Sequence, residues 1–152
     1  MSKPNPATIV VIDDEPRIRE LLVELLTPEG YNILTATDGK DAMDLILKSK
    51  PDLILTDIRM PRLDGITFCK ALRLDREART IPIIVLTALN SRGQLEEAMA
   101  AGADDFVGKP FDAVELKIRV RAMLKLKHIS DEVERLQEYI LSMRKELGSV
   151  RN

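Results

Sequence analysis

The chain has no tryptophan, one cysteine and very few aromatic residues, two Tyr and three Phe among 152 positions. A lone Cys69 excludes an internal disulfide and suits a reducing compartment. Scarce aromatics leave no platform for base stacking. The charge is mixed, 25 acids against 23 bases for a net −2, so no basic surface marks out a nucleic-acid binder. No apolar run approaches the roughly 18 residues of a membrane span, and no early segment reads as a signal peptide. These absences point to a cytoplasmic protein that contacts neither membrane nor nucleic acid. The length suits one domain of about 100–150 residues plus an extension. A domain of that size buries roughly two-thirds of its unfolded surface and needs no structural metal.

What is present is an alternation. Residues 1–7 hold two prolines and little apolar content, and read as a mobile lead-in. Short β-branched runs follow near 8–12, 31–36, 52–56, 81–87 and 103–107. Stretches of helical periodicity lie between them near 15–28, 39–49, 64–75 and 91–101. In the first, Ile18, Leu21, Leu22, Leu25 and Leu26 form an amphipathic stripe, Pro16 suits the first turn and Gly30 the end. Strands alternating with helices imply an α/β fold, a parallel sheet covered on both faces. The central runs are almost wholly apolar, as strands buried on both sides are.

Four of the runs end in polar residues. Ile9–Ile12 leads to Asp13-Asp14, Leu53–Leu55 to Thr56-Asp57, Ile83–Leu86 to Thr87, and Phe106-Val107 to Gly108-Lys109-Pro110. Singly, each has a bland reading: an acidic first turn for Asp13-Asp14-Glu15, a turn for Asp57, an ordinary strand residue for Thr87, a surface lysine for Lys109. In a parallel sheet the C-terminal strand edge is where ligands bind, and there these groups meet. Three converging carboxylates repel one another unless positive charge intervenes. Mg²⁺ (or Mn²⁺) and an ammonium answer that need. A carboxylate beside both is a nucleophile toward a phosphoryl group. The Thr87 hydroxyl is a donor to a phosphoryl oxygen.

The motifs Val-Ile-Asp13-Asp14-Glu15, Asp57-Ile-Arg-Met-Pro61-Arg-Leu-Asp64-Gly65, Leu-Thr87-Ala88 and Asp105-Phe106-Val-Gly-Lys109-Pro110-Phe111 closely resemble the receiver domain of bacterial two-component response regulators. The resemblance covers about residues 7–125. It implies a flavodoxin-like (βα)5 fold with strand order 2-1-3-4-5. It implies that Asp57 is the phosphoacceptor and that a sensor histidine kinase or phosphotransfer protein is the donor. Asp14, Asp57 and the backbone carbonyl of Arg59 would hold Mg²⁺, with Asp13 acting mainly through a metal-bound water. Thr87 and Lys109 would contact the phosphoryl group, Phe106 would be the switch aromatic, and Lys109-Pro110 would be cis. Arg59 and Leu89 occupy positions that tune phosphoryl lifetime. A receiver assists its own phosphorylation without being an enzyme in its own right.

Beyond Asp112 the rhythm changes. No Pro or Gly appears until Gly148, and a continuous helix that long would span roughly 55 Å. Leu126, Ile129, Val133, Leu136, Ile140, Met143, Leu147 and Val150 are spaced 3, 4, 3, 4, 3, 4, 3. This heptad puts Leu126, Val133, Ile140 and Leu147 at a, and Ile129, Leu136, Met143 and Val150 at d, the pattern of a parallel two-stranded coiled coil. Glu146 at g is placed to pair with Arg151 at e of a second copy. The expectation is a receiver over 8–125 and a dimeric signalling helix over 126–152, continuous with the fifth helix and leading to an output domain outside the chain. The other reading is a single amphipathic helix folded back on its own domain.

Competing functions are a stand-alone regulator that docks a partner through its tail, an aspartate-based phosphohydrolase and a flavodoxin-type electron carrier. The phosphohydrolase needs an Asp-x-Asp pair, but Ile58 and Arg59 follow Asp57. The electron carrier needs a hydroxyl- and glycine-rich loop where this chain has three acids and a proline. His128 at heptad position c reads as a solvated residue, Cys69 as a packed helix residue, and Asp64-Gly65 as a turn and helix start.

Overall fold

The computed structural model describes residues 6–59, 65–88, 92–126 and 131–151. Residues 1–5 of the expected lead-in, Asp64, Leu89, His128 and Ile129 lie outside the described residues, as do the side chains of Val150 and Arg151. Five strands, β1 (Thr8–Ile12), β2 (Asn32–Ala36), β3 (Leu53–Asp57), β4 (Ile83–Ala88) and β5 (Asp105–Lys109), form one parallel sheet in the order β2-β1-β3-β4-β5. The helices are α1 (Pro16–Leu26), α2 (Gly39–Ser49), α3 (Gly65–Leu74), α4 (Arg92–Ala100), α5 (Ala113–Met123) and α6 (Glu132–Arg151).

The period of two in the strands divides the core. Val10, Ile12, Ile54, Ile83 and Val85 point to one face and pack against Ile46 of α2, Phe68 and Leu72 of α3 and Ala98 of α4. Ile9, Val11, Leu53, Leu55, Ile84, Leu86 and Val107 point to the other, against Leu22 and Leu26 of α1 and Leu116, Val120 and Met123 of α5. The local signals act as written. Pro16 opens α1, and Gly30 leaves the 3₁₀ turn after it at φ 95°. Asp38 and Asp112 cap α2 and α5 by accepting from the backbone N–H of Asp41 and Glu115. The N-cap of α1 is Glu15, whose side chain makes no cap bond; Asp13 instead accepts from the Glu15 N–H at 2.9 Å.

One expectation is overturned. The fifth helix is not continuous with the C-terminal one. It ends at Met123 and tightens into a 3₁₀ turn over Leu124–Leu126, and a separate α6 starts at Glu132. The cause is burial: Leu126, assigned to a heptad seam, is sunk into the α1/α5 side of the core. Its carbonyl accepts from Arg135 at 3.1 Å. Asp131 restarts the helix, accepting the Glu134 N–H at 2.8 Å.

The folding back of α6 onto its own domain matches the second reading, but the face that docks is polar. Arg135, Tyr139, Ser142 and Glu146 face inward. Val133, Leu136, Ile140 and Leu147 of the heptad stripe are 64%, 60%, 44% and 47% exposed. Among the described residues no helix is long and apolar enough to cross a membrane.

Candidate functional site

Parallel strands in this order bring the ends of β1, β3, β4 and β5 to one edge of the sheet. Asp13 follows β1, Asp57 ends β3, Thr87 is the next-to-last residue of β4, and Lys109 ends β5. Thr87 is aligned with Gly108 across the β4–β5 pair. Gly65 at the start of α3 lets that helix approach the acceptor strand. A Cβ there would fall 2.6 Å from the carbonyl oxygen of Asp57 and 2.9 Å from that of Ile58. Only the residue without a Cβ fits so close a backbone.

All the residue positions expected from the strand ends meet here. One carboxylate oxygen from each of Asp13, Asp14 and Asp57 lies within 4.8 Å of the others. Asp13 is buried, Asp57 largely so, and Asp14 is exposed. The Lys109 ammonium reaches across the edge, donating to Asp13 Oδ2 at 3.0 Å and standing 3.5 Å from Asp57 Oδ2. Its burial alone would lower its pKa. The bond to Asp13 and the charges of Asp57, Asp13 and Glu15 outweigh that and hold it above the usual lysine range. Burial pushes Asp57 above the usual carboxylate range. Lys109 pulls it back down, and Asp13 adds to the rise.

A cleft of about 400 Å³ opens over these groups, lined by Asp14, Glu15, Asp57, Arg59, Thr87 and Lys109 among others. Thr87 Oγ1 is held by the Ala88 carbonyl at 3.1 Å, and Arg59 by Gln94 of α4 at 3.2 Å. Phe106 on β5 points outward, 39% exposed. The Lys109-Pro110 peptide is cis. The donor set of three carboxylates with one ammonium fits a hard divalent cation: it is all oxygen, and too negative for one lysine to balance.

The sequence left three features unread. Asp105 receives Arg119 at 2.7 Å and the Tyr139 hydroxyl of α6. Asp104 joins Arg73 and Arg135, each at 2.8 Å. The third is the docked face of α6. Asp104-Asp105 was visible as an acidic pair, but nothing local signals which distant cations it meets.

The sequence profile of the response regulator receiver domain matches residues 9–121. The response regulator PleD of Caulobacter vibrioides is 41% identical over 127 residues, 84% of this chain and 28% of PleD. The response regulator MprA of Mycolicibacterium vanbaalenii is 42% identical over 120 residues, 79% of this chain and 51% of MprA. The chain thus spans about half or less of the length of these curated relatives. A response regulator structure from Chloroflexus aurantiacus superposes with a TM-score of 0.77 at 35% identity, covering 79% of this chain and 98% of that one. The receiver domain of the sensor histidine kinase PA1611 from Pseudomonas aeruginosa, solved with magnesium coordinated in its active-site cleft, gives 0.74 at 30% identity, with the same coverage. The profile match runs from the strand that precedes Asp13 into the helix after Lys109, and the sheet order agrees with it: the chain belongs to the response regulator receiver family.

Proposed function

We propose that the chain accepts a phosphoryl group on Asp57 from a histidine kinase or phosphotransfer protein. The observation that carries this reading is the gathering of Asp13, Asp14 and Asp57 around Lys109 at the mouth of one cleft. A carboxylate oxygen of Asp57 attacks phosphorus as the donor's P–N bond breaks. The product is an acyl phosphate, and the donor imidazole leaves with the electron pair. Asp57 attacks as the carboxylate, the ordinary form of an aspartate at neutral pH, and needs no separate general base. Asp14, Asp57, the Arg59 carbonyl and, through water, Asp13 are the groups that would hold Mg²⁺ (or Mn²⁺). When bound, the ion supplies positive charge against the charge that develops on the phosphoryl oxygens. Lys109 gives a second positive charge, and Thr87 turns its hydroxyl from the Ala88 carbonyl to a phosphoryl oxygen. That movement opens space for Phe106 to turn inward.

The output is read through pairing of two copies along the exposed heptad face of α6, with an output domain beyond this chain. The relatives, much longer than the chain, favour such a domain. Glu132 and Glu146 lie at g, Arg144 and Arg151 at e. Antiparallel pairing would set like charges together, so the parallel arrangement is favoured.

The test is incubation with acetyl phosphate, with and without Mg²⁺, followed by intact mass and peptide mapping. One phosphoryl group on Asp57, dependent on Mg²⁺ and absent in Asp57→Asn, is expected. Labelling that persists in Asp57→Asn would sink the reading.

A further inference from the structure

We propose that α6 is a strap held down in the resting protein by a latch between Tyr139 and Asp105, and released when Asp57 is phosphorylated. This rests on the reading of Asp57 as the phosphoacceptor.

The hold on α6 is polar and divided among three places. Near its start, Arg135 pairs with Asp104 and donates to the carbonyls of Thr80 and Leu126 at 3.0 and 3.1 Å. In its middle, the Tyr139 hydroxyl donates to Asp105, which also receives Arg119. Farther along, Glu146 meets Arg121 of α5 at 2.8 Å, and Arg121 also reaches Glu29. These ion pairs are partly shielded from water, Arg135 and Asp104 being 11% and 17% exposed and Arg121 and Glu146 38% and 19%, so desolvation offsets much of their attraction. The stripe that would give a larger gain, Val133, Leu136, Ile140 and Leu147, faces solvent. The packing beside the latch is also incomplete. A cavity of about 230 Å³ lies between α4 and α6, lined by Met99, Met123, Leu136 and Tyr139 among others. The docked helix is therefore poised, with a polar hold on one side and an uncovered apolar face on the other.

The latch stands where the phosphoryl signal passes. Asp105 immediately precedes Phe106. The Phe106 N–H donates to Asp105 Oδ1 at 2.8 Å, while Oδ2 of the same carboxylate holds Arg119 and Tyr139. β5 is bonded along its length to β4, which carries Thr87. A rearrangement that starts at Thr87 and turns Phe106 acts directly on the carboxylate that retains α6. Two discrete states, docked and released, are biased by the phosphoryl site through one shared group. The g positions freed on release, Tyr139 and Glu146, flank the seam that a second copy would cover.

The test is an intramolecular distance. Nitroxide labels are placed on the exposed Glu24→Cys of α1 and Lys145→Cys of α6, with the labelled chain diluted in unlabelled protein so that only distances within one chain are read. Cys69 is buried and does not compete. The resting protein is expected to give one narrow distance. Treatment with acetyl phosphate and Mg²⁺ is expected to lengthen it by at least about 10 Å, the diameter of a helix. Tyr139→Phe is expected to lengthen it without phosphorylation. An unchanged distance in protein shown by intact mass to carry the phosphoryl group would overturn the proposal, and so would an unchanged distance in Tyr139→Phe. If no phosphoryl group is taken up, the reading of Asp57 fails, and the Tyr139→Phe distance alone decides the latch. If Tyr139→Phe does not fold, Asp105→Asn, which weakens the acceptor side of the same latch, takes its place, with the same two outcomes.

Discussion

Asp57 is the residue on which opposing forces meet. Burial raises its pKa, Lys109 lowers it, and the neighbouring Asp13 raises it again, with the rise prevailing. A carboxyl held above its ordinary range weakens the fold at neutral pH. In acid below the ordinary aspartate value, folded and unfolded chains both keep the proton and the group is neutral to stability. As pH rises past that value the unfolded chain releases its proton first, and stability falls until the folded carboxyl has ionised as well. In EDTA, Asp57→Asn is therefore expected to be more stable than the parent near pH 7, with the difference vanishing in acid below the ordinary aspartate value. Urea midpoints of the two proteins at both pH values check this. A variant no more stable than the parent near pH 7 would show that Lys109 already balances the cluster. The gathering of Asp13, Asp14, Asp57, Thr87 and Lys109 was legible in the sequence because the strand ends carry them, and parallel strands share an edge. Tyr139 and Asp105 were not. Their contact joins positions 34 residues apart, across a chain reversal that no local pattern encodes.

At the scale of the element, the instructive helix is α6. Its apolar spacing is regular, yet the helix before it stops at Met123 with neither Pro nor Gly to stop it. Leu and Lys favour a helix, so propensity argued for continuation. Burial of Leu126 in the core overrides that preference, as tertiary packing often does. A signal for the restart was present in Asp131 with Glu134 three residues on, the pattern of a capping box, and the unbroken heptad masked it. The two geometries make opposite predictions for Asp131→Ala. As an N-cap, Asp131 holds the Glu134 N–H, and its loss is expected to cost about 1 kcal/mol, with amide exchange rising in the first turn of α6. Inside a continuous helix the same change would add helix propensity and slow that exchange. Hydrogen exchange over residues 133–137 separates the two, and slower exchange would reinstate the continuous helix.

At the scale of the molecule, alternation of strands and helices showed the layers, and the resemblance supplied the order of the strands. Which side of α6 meets the domain followed from neither. A heptad states which residues prefer to leave water, but not whether the same chain or another covers them. Here the domain offers ion pairs, Asp104 with Arg73, Asp105 with Arg119 and Arg121 with Glu29, and those attract the polar flank. The apolar stripe remains on the surface of the single chain, and a second copy is the partner proposed for it. Ile140 sits at an a position on this stripe and is 44% exposed. Ile140→Glu is expected to leave the stability of the monomer within about 0.5 kcal/mol, as substitutions at exposed positions usually do. The same substitution puts two carboxylates against each other in the seam of a parallel pair, where like charges and desolvation both oppose association. Sedimentation equilibrium of both proteins, phosphorylated and not, reads the outcome. The parent is expected to dimerise more tightly when phosphorylated, and the variant to remain monomeric at the same concentrations. If the two proteins associate equally, the stripe is surface and the dimer lies elsewhere.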